Sequence, residues 1–429
     1  MRLFAFSWAP PGVYFDEAFN GHLALNVLDS RHISSVYFQR EMGLPGLYFW
    51  LLSLSFAVFG DSITALRFPN ALMSIFTVLG IYLLVKELFH THVHRQWIAL
   101  IAAALLATSV WHIILSRLAF SGSMVPFMEI YSIWLLAKAI RTKKPQGFIA
   151  AGAFIGLGFY SYWQFYPFAA LPLWMLYRFV KEDSDARRYM FVFCAAMLMV
   201  MLPLMITATE LNIFERPRHL FIASKENQVG FFQGISQLLH NFSATITMLF
   251  SVGDGNWRHN YNAQSQLSTL AIIGIFYWVV TGISPLCPHK TPSDEPGHIL
   301  AIPQQYLLII WALLATLPAI LTNEGVPNAW RANGMIVPVY VLASIGLYRL
   351  FYRPTILVQY GTFLFLLLFA WHAAHAYHIY FLKWAKDYNT IESFDTQDPS
   401  GKKFDSLNTL YRFGFLKDVR DKEWRNYDY

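Results

Sequence analysis

Two adjacent carboxylates, Asp16 and Glu17, lie in Phe15-Asp16-Glu17-Ala18-Phe19-Asn20, between a Pro-Gly turn and an amphipathic stretch. Burial against Tyr14, Phe15 and Phe19 would raise a carboxylate pKa and suit it to deprotonate an acceptor hydroxyl. The same residues opening a helix would equally serve its dipole. Arg67 and Arg117 stand at the ends of two apolar stretches, where an arginine either snorkels to the bilayer edge or clamps a phosphate bidentately. Asp254, Asn256, Trp257, Arg258 and His259 fall within Gly253 to Tyr261. That mixture of glycines, an aromatic ring and donors suits sugar or phosphate contact, or a solvated loop. Val326-Pro327-Asn328-Ala329-Trp330-Arg331 repeats it, adding Asn328 and Arg331, and a turn holds Tyr160, Tyr162, Gln164 and Tyr166. Glu129, deep in an apolar run, is either functional or a bundle hydrogen-bond partner.

Metal chemistry has a thin basis. His372, His375 and His378 form a drifting stripe with no carboxylate or cysteine nearby, and the loop histidines His90, His92 and His94 offer less. Asp16 and Glu17 alone are few ligands for an octahedral oxygen-bound ion. No cofactor is expected from these residues, and a divalent metal stays open. Cys194 and Cys287 make neither a disulfide framework nor a four-ligand site.

The elements that must position these groups are membrane helices. Of 429 residues, 56% are apolar and 14% charged, far below the roughly 25% charged content of globular proteins. With 37 Phe, 23 Tyr and 14 Trp, neither a soluble nor a disordered chain fits. The net charge of +6 comes from short basic clusters between apolar stretches, so it sets topology and does not imply nucleic acid. Ten stretches have spanning length: 65–85, 97–115, 124–140, 147–163, 165–180, 189–209, 267–284, 299–321, 334–350 and 355–381. An eleventh, Leu47 to Phe59, is too short and reads as interfacial or re-entrant. The expected fold is an all-α polytopic membrane protein. It divides into a first loop with interfacial helices (1–64), a helical membrane domain with a long loop at 210–266 (65–381), and a small extramembrane tail (382–429).

Lysines and arginines recur in every second connection: Lys86 and Arg95; Lys138, Arg141, Lys143 and Lys144; Arg178, Lys181, Arg187 and Arg188; Lys290; Arg349 and Arg353. The positive-inside rule puts these loops in the cytoplasm. The polar candidates, including Arg40, Glu41 and Glu324, then face outward, as do both ends of the chain. The expected location is the inner (plasma) membrane, multi-pass.

Phe15-Asp16-Glu17-Ala18, Pro45-Gly46-Leu47-Tyr48-Phe49-Trp50-Leu51-Leu52, Phe59-Gly60-Asp61-Ser62 and Ala65-Leu66-Arg67-Phe68-Pro69-Asn70-Ala71-Leu72 occur in order. They are followed by Trp111-His112-Ile113-Ile114-Leu115-Ser116-Arg117, Gly156-Leu157-Gly158-Phe159-Tyr160-Ser161-Tyr162, Gly253 to Tyr261, and Pro327-Asn328-Ala329-Trp330-Arg331 with Gly334. This set, over roughly residues 10–380, resembles the bacterial relatives of dolichyl-phosphate-mannose protein mannosyltransferases. These form glycosyltransferase family 39, whose multi-span GT-C fold includes the aminoarabinose transferase of lipid A. The resemblance implies sugar transfer from a polyprenyl-phosphate donor to a lipid, glycan or protein acceptor on the outer face. It makes Asp16 the base, Glu17 its helper, and Arg67, Arg117 and Arg331 the groups that neutralise the departing phosphate. It also implies a spanning helix ahead of the acidic pair, which the sequence from Met1 lacks. Gly43-Leu44 replace the usual charged residue before Pro45, and Ala119-Phe120-Ser121-Gly122 replace the polar pattern after Arg117. A transporter or carrier-lipid flippase, or a truncated inactive relative, is the alternative. Against transport, ionisable residues are nearly absent from the spans.

Overall fold

The computed structural model describes residues 1–394, apart from 7, 31–35, 39–43, 184–185, 212, 225–229, 283–303 and 353–357. In chain order the helices are α1 (Phe15–Ser30), α2 (Leu47–Phe59), α3 (Ile63–Leu88), α4 (Arg95–Ala107), α5 (Val110–Ser116) and α6 (Val125–Thr142). They continue as α7 (Pro145–Gly158), α8 (Phe165–Phe168), α9 (Ala170–Glu182), α10 (Arg187–Glu210), α11 (Glu215–Leu220) and α12 (Phe231–Phe250). The last are α13 (Thr269–Val280), α14 (Gln304–Ile320), α15 (Ile336–Tyr352), α16 (Val358–Tyr377) and α17 (Tyr388–Phe394). Tyr37–Phe38 and Leu44–Pro45 form one short antiparallel pair.

Among the described residues, each apolar stretch expected to span contains helix, because backbone groups in hydrocarbon must find their partners within the chain. Among the described residues, five helices have the length and composition of a span: 63–88, 121–142, 187–209, 333–352 and 360–386. The expected span at 97–115 is instead a bent pair, α4 and α5, with 59° between them. No proline causes the bend. The Thr108 hydroxyl bonds back to the Ala104 carbonyl, while the Ser109 hydroxyl caps α5 by accepting from the His112 N–H. α7, α13 and α14 are apolar but shorter than a full span, as is α2.

The expected long loop at 210–266 requires a correction, because it contains α12, twenty residues long. On α12 Asn241 and Thr245 are buried, and Asn241 donates to the Ile320 and Thr322 carbonyls at the end of α14, while Gln233, Ser236, His240 and Ser243 are exposed. Phe231, Phe232, Leu239 and Phe242 point outward. Polar positions spaced through the segment broke up the apolar run that marks a span.

α15 and α10 show the two environments of the bundle. The α15 span is 94% buried, and α15 is apolar all round, as a central helix must be. It crosses α13 where Gly274 and Gly346 meet, and a side chain on Gly346 would run into the Gly274 carbonyl. The α10 span is 11% buried and exposes Phe191 and Met199. In lipid such a surface needs no partner. This is a multi-pass membrane protein.

The described loops gather at two ends. At one, Arg141 pairs with Glu87, Lys143 with Asp183, and His92 and His94 lie against Tyr348. At the other, residues 1–14, 117–124, 159–164, 251–268 and 321–335 bond to one another.

Candidate functional site

The segment before α1 is irregular, so its carbonyls have no helical partners and must find others. Two arginines supply them. Arg67 donates to Pro10 O (3.1 Å) and Gly12 O (2.6 Å). Arg117 donates to Met1 O (2.6 Å), Arg2 O (3.0 Å) and Ala9 O (2.5 Å), with its guanidinium 4.4 Å from the Phe6 ring centre. Arg2 runs the other way, reaching Ser116 Oγ (2.8 Å) and Leu106 O (2.9 Å). Burial, and then the adjacent Arg117 charge, pull the Arg2 guanidinium down to about 9. Sequence reasoning missed Arg2; its one signal was a charge within the apolar run Met1 to Ala9.

Glu17 is fully buried in the first turn of α1. Its Oε1 accepts from Arg67 Nε (2.9 Å) and the Ala119 N–H (2.8 Å), and its Oε2 from Arg67 Nη2 (2.8 Å) and the Tyr14 N–H (3.2 Å). Four donors occupy the carboxylate, leaving it little capacity to take a substrate proton. Asp16 is exposed, since one residue along a helix turns the side chain by about 100°. The acidic pair therefore divides into a buried member and an exposed one. Arg67 and Arg117 are likewise 0% exposed and committed to the 1–17 segment.

A second cluster is built on Asp254. Its Oδ1 accepts from the Asn256 N–H (2.8 Å); its Oδ2 meets His259 Nδ1 (2.9 Å) and accepts from the Ala329 N–H (2.8 Å). That last bond joins two sequence motifs lying 75 residues apart. Asn256 Oδ1 accepts from the backbone N–H and Nε of Arg258 (3.1 and 3.2 Å). The guanidinium of Arg258 then sits 3.8 Å from the Tyr14 ring centre, two residues from Asp16. Trp257 accepts at its carbonyl from Trp384 Nε1 (2.7 Å). Asn328 caps the Arg331 N–H (2.9 Å), and Arg331 reaches Glu324 O (2.6 Å).

Trp330 links these pieces. Its ring meets Phe120 edge-on at 4.8 Å and lies nearly parallel to His259 at 6.2 Å; its carbonyl accepts from Gln164 Nε2 (2.9 Å). Gly122 leaves the room this ring needs. Phe120 in turn contacts Tyr14 at 6.3 Å. The motif containing Trp330 was visible in the sequence, but the bridging role of its ring was not.

Tyr160 and Tyr162 separate in role. The Tyr160 hydroxyl donates to Val200 O (2.7 Å) and accepts from the Leu204 N–H (3.2 Å), entering the α10 ladder beside Pro203. It props a helix, in the way that inserted groups accompany proline distortions. Burial raises its phenol pKa. Tyr162 lines a cavity of about 290 Å³ walled chiefly by Trp163, Pro167, Phe214, Leu317 and Leu321. Gln164 and Arg331 supply its polar edge.

Glu129 lies apart, accepting from Trp311 Nε1 (3.0 Å) and lying close to Gly334. Arg40, Glu41, Cys287, Lys290, Arg353 and the tail beyond residue 394 lie outside the described residues. Among the described residues, no three His, Cys, Asp or Glu side chains converge as a metal site would require.

Residues 44–206 match the family model described as dolichyl-phosphate-mannose-protein mannosyltransferase. ArnT from Cupriavidus metallidurans bound to undecaprenyl phosphate superposes with a TM-score of 0.54 at 13% identity, covering 90% of this chain and 74% of that one. Over residues 44–206 the sequence is similar to that family, and the fold is similar to that of ArnT. The apo form of the same ArnT gives a TM-score of 0.51 at 12% identity, with the same 90% and 74% coverage. An Archaeoglobus fulgidus oligosaccharyltransferase tethered to an acceptor peptide aligns at 14% identity over 91% of this chain and 52% of its own, with a TM-score of 0.47. No curated protein sequence matches. The GT-C-like chain thus agrees with the resemblance read from its motifs, both in family pattern and in fold.

Proposed function

We propose that this GT-C-like protein is a membrane glycosyltransferase that moves a sugar from a polyprenyl-phosphate carrier to a lipid, glycan or protein acceptor. One observation carries the reading: an exposed carboxylate, two partly open arginines and an apolar cavity belong to the same end of the bundle. Asp16 takes the acceptor's proton as its oxygen attacks the anomeric carbon. The anomeric carbon–oxygen bond to phosphate breaks, and its electron pair leaves with the carrier. Arg258 and Arg331 receive the developing phosphate charge, a task suited to planar bidentate donors. Arg67 and Arg117 act one step back by holding the segment that presents Asp16. The cavity under Arg331 takes the start of the polyprenyl chain, and the undecaprenyl phosphate held by the similar ArnT supports this choice of ligand. Basic residues collected at the other end favour an outward-facing site in the plasma membrane.

The test is release of polyprenyl phosphate from a panel of polyprenyl-phosphate sugars by the purified protein, beside its Asp16→Asn variant. Release by wild type alone supports the reading. Equal release by both removes Asp16 from the chemistry, and no release from any donor overturns the transferase assignment.

A further inference from the structure

Beyond the Asp254 turn lies a second cavity of about 280 Å³, enclosed by the loop from Ser251 to Thr269, the start of α5 and the end of α16. Nothing in the transfer chemistry above uses it. Its lining contains no Asp, Glu, Lys or Arg, so it offers no ion pair to a charged group. Amides, hydroxyls, imidazoles and aromatic rings line it instead, including Trp111 and Trp371.

Two of these polar groups are buried without partners. Gln266 is 4% exposed and His372 is 3% exposed, and Gln266 Nε2 and His372 Nε2 have no hydrogen bond within the protein. They come from segments about a hundred residues apart and line the same space. Leaving a buried polar group unmet is costly, so two in one cavity mark a place where a ligand offsets the cost. On the same wall, Trp371 stacks with His375 at 5.7 Å and 16°, while Trp371 remains exposed. Directed hydrogen bonds beside an aromatic face, without charge, match an uncharged pyranose ring. The volume falls near the lower limit of roughly 300–1,000 Å³ for small-ligand sites, which suits one ring.

We propose that this cavity is a carbohydrate-binding subsite for a single neutral sugar ring, hydrogen-bonded by Gln266 and His372 and stacked on Trp371. Asn260 lines the cavity and also donates to the Asp254 carbonyl (3.1 Å). Occupancy therefore bears on the turn that carries Arg258 and His259. This assignment deepens the transferase reading, because it names a neutral sugar as part of what the protein recognises.

Saturation-transfer NMR on the purified protein tests it, with methyl glycosides of mannose, glucose and galactose as probes. A glucosyl-lipid in nanodiscs, run beside the free glycosides, separates a free sugar from a lipid-borne one. The expected result is transfer to ring protons of at least one probe, with affinity falling about tenfold in Gln266→Leu and in His372→Leu. Trp371→Ala should weaken it similarly, and Asp16→Asn should leave it unchanged. Gln266→Leu removes an unpaired polar group, so its melting temperature should match or exceed wild type and misfolding cannot imitate the loss. Transfer from none of the probes, free or lipid-borne, or transfer indifferent to all three substitutions, overturns the subsite and leaves a cavity of ordered water. Because no donor is cleaved, failure of carrier release and failure of sugar binding are read separately.

Discussion

Arg67 and Arg117 share one end of the bundle with Arg258 and Arg331, yet the two pairs live in different conditions. The first two expose no surface and spend most of their donors on Glu17 and the carbonyls of residues 1–12. The second two are partly exposed; one rests on the face of Tyr14, the other borders an apolar cavity. The same division runs through the acidic pair, with Glu17 anchored and Asp16 exposed. Charge type alone does not assign a role at a membrane site. A guanidinium that already satisfies irregular backbone has little left for a phosphate, and what remains open is what chemistry can use.

The comparison breaks most decisively at the carboxylates. Asp16→Asn should lower turnover by about 10²–10⁴-fold, the usual contribution of a general base, with an unchanged melting temperature in detergent. Equal loss of turnover and of folding would place Asp16 with the anchors. Glu17→Gln should do the reverse, losing roughly 3–5 kcal/mol of stability because Arg67 keeps a buried, unpaired charge. Thermal melting checks this, and Glu17→Leu combined with Arg67→Met should recover part of the loss.

Smaller effects sharpen the contrast. Asp254→Asn replaces an acceptor-only carboxylate facing three donors, and should cost about 1–3 kcal/mol of stability while lowering activity as Arg258 loses its footing. Arg331→Gln should raise the donor KM by about tenfold, as expected for one charge-assisted hydrogen bond, and leave melting nearly unchanged. A donor series with shortened polyprenyl chains should show the same KM rise in wild type, through lost contact with the cavity beneath Arg331.

Several parts of this architecture were legible in the sequence for clear physical reasons. A helix in lipid needs a long apolar run, so the stretches at 65–85 and 334–350 announce themselves and become α3 and α15. α12 did not, because polar residues such as Gln233, Ser236, His240 and Asn241 interrupt its apolar run. The bend between α4 and α5 also escaped, since hydroxyls at Thr108 and Ser109 produce it without a proline. Motif residues Asp254 and Asn328 drew attention to two loops, but the bond from the Ala329 N–H to Asp254 that joins them depends on packing between distant segments. Gln266 carried no signal, and His372 stood out only as one of a histidine stripe: an unpaired polar group is a property of surroundings, and only folding supplies those.

The sequence by itself determined that the chain crosses a membrane repeatedly, which loops share a side, and which motifs resemble a mannosyltransferase. Hydrophobic length and loop charge act locally, so they can be read in order along the chain. Only the tertiary structure decided that Glu17 is spent on Arg67, that Tyr160 braces α10, and that Arg258 lies over Tyr14. Those outcomes rest on hydrogen bonds and burial between segments far apart in sequence, and a carboxylate or guanidinium becomes an anchor or a reagent according to which of its partners the fold has already provided.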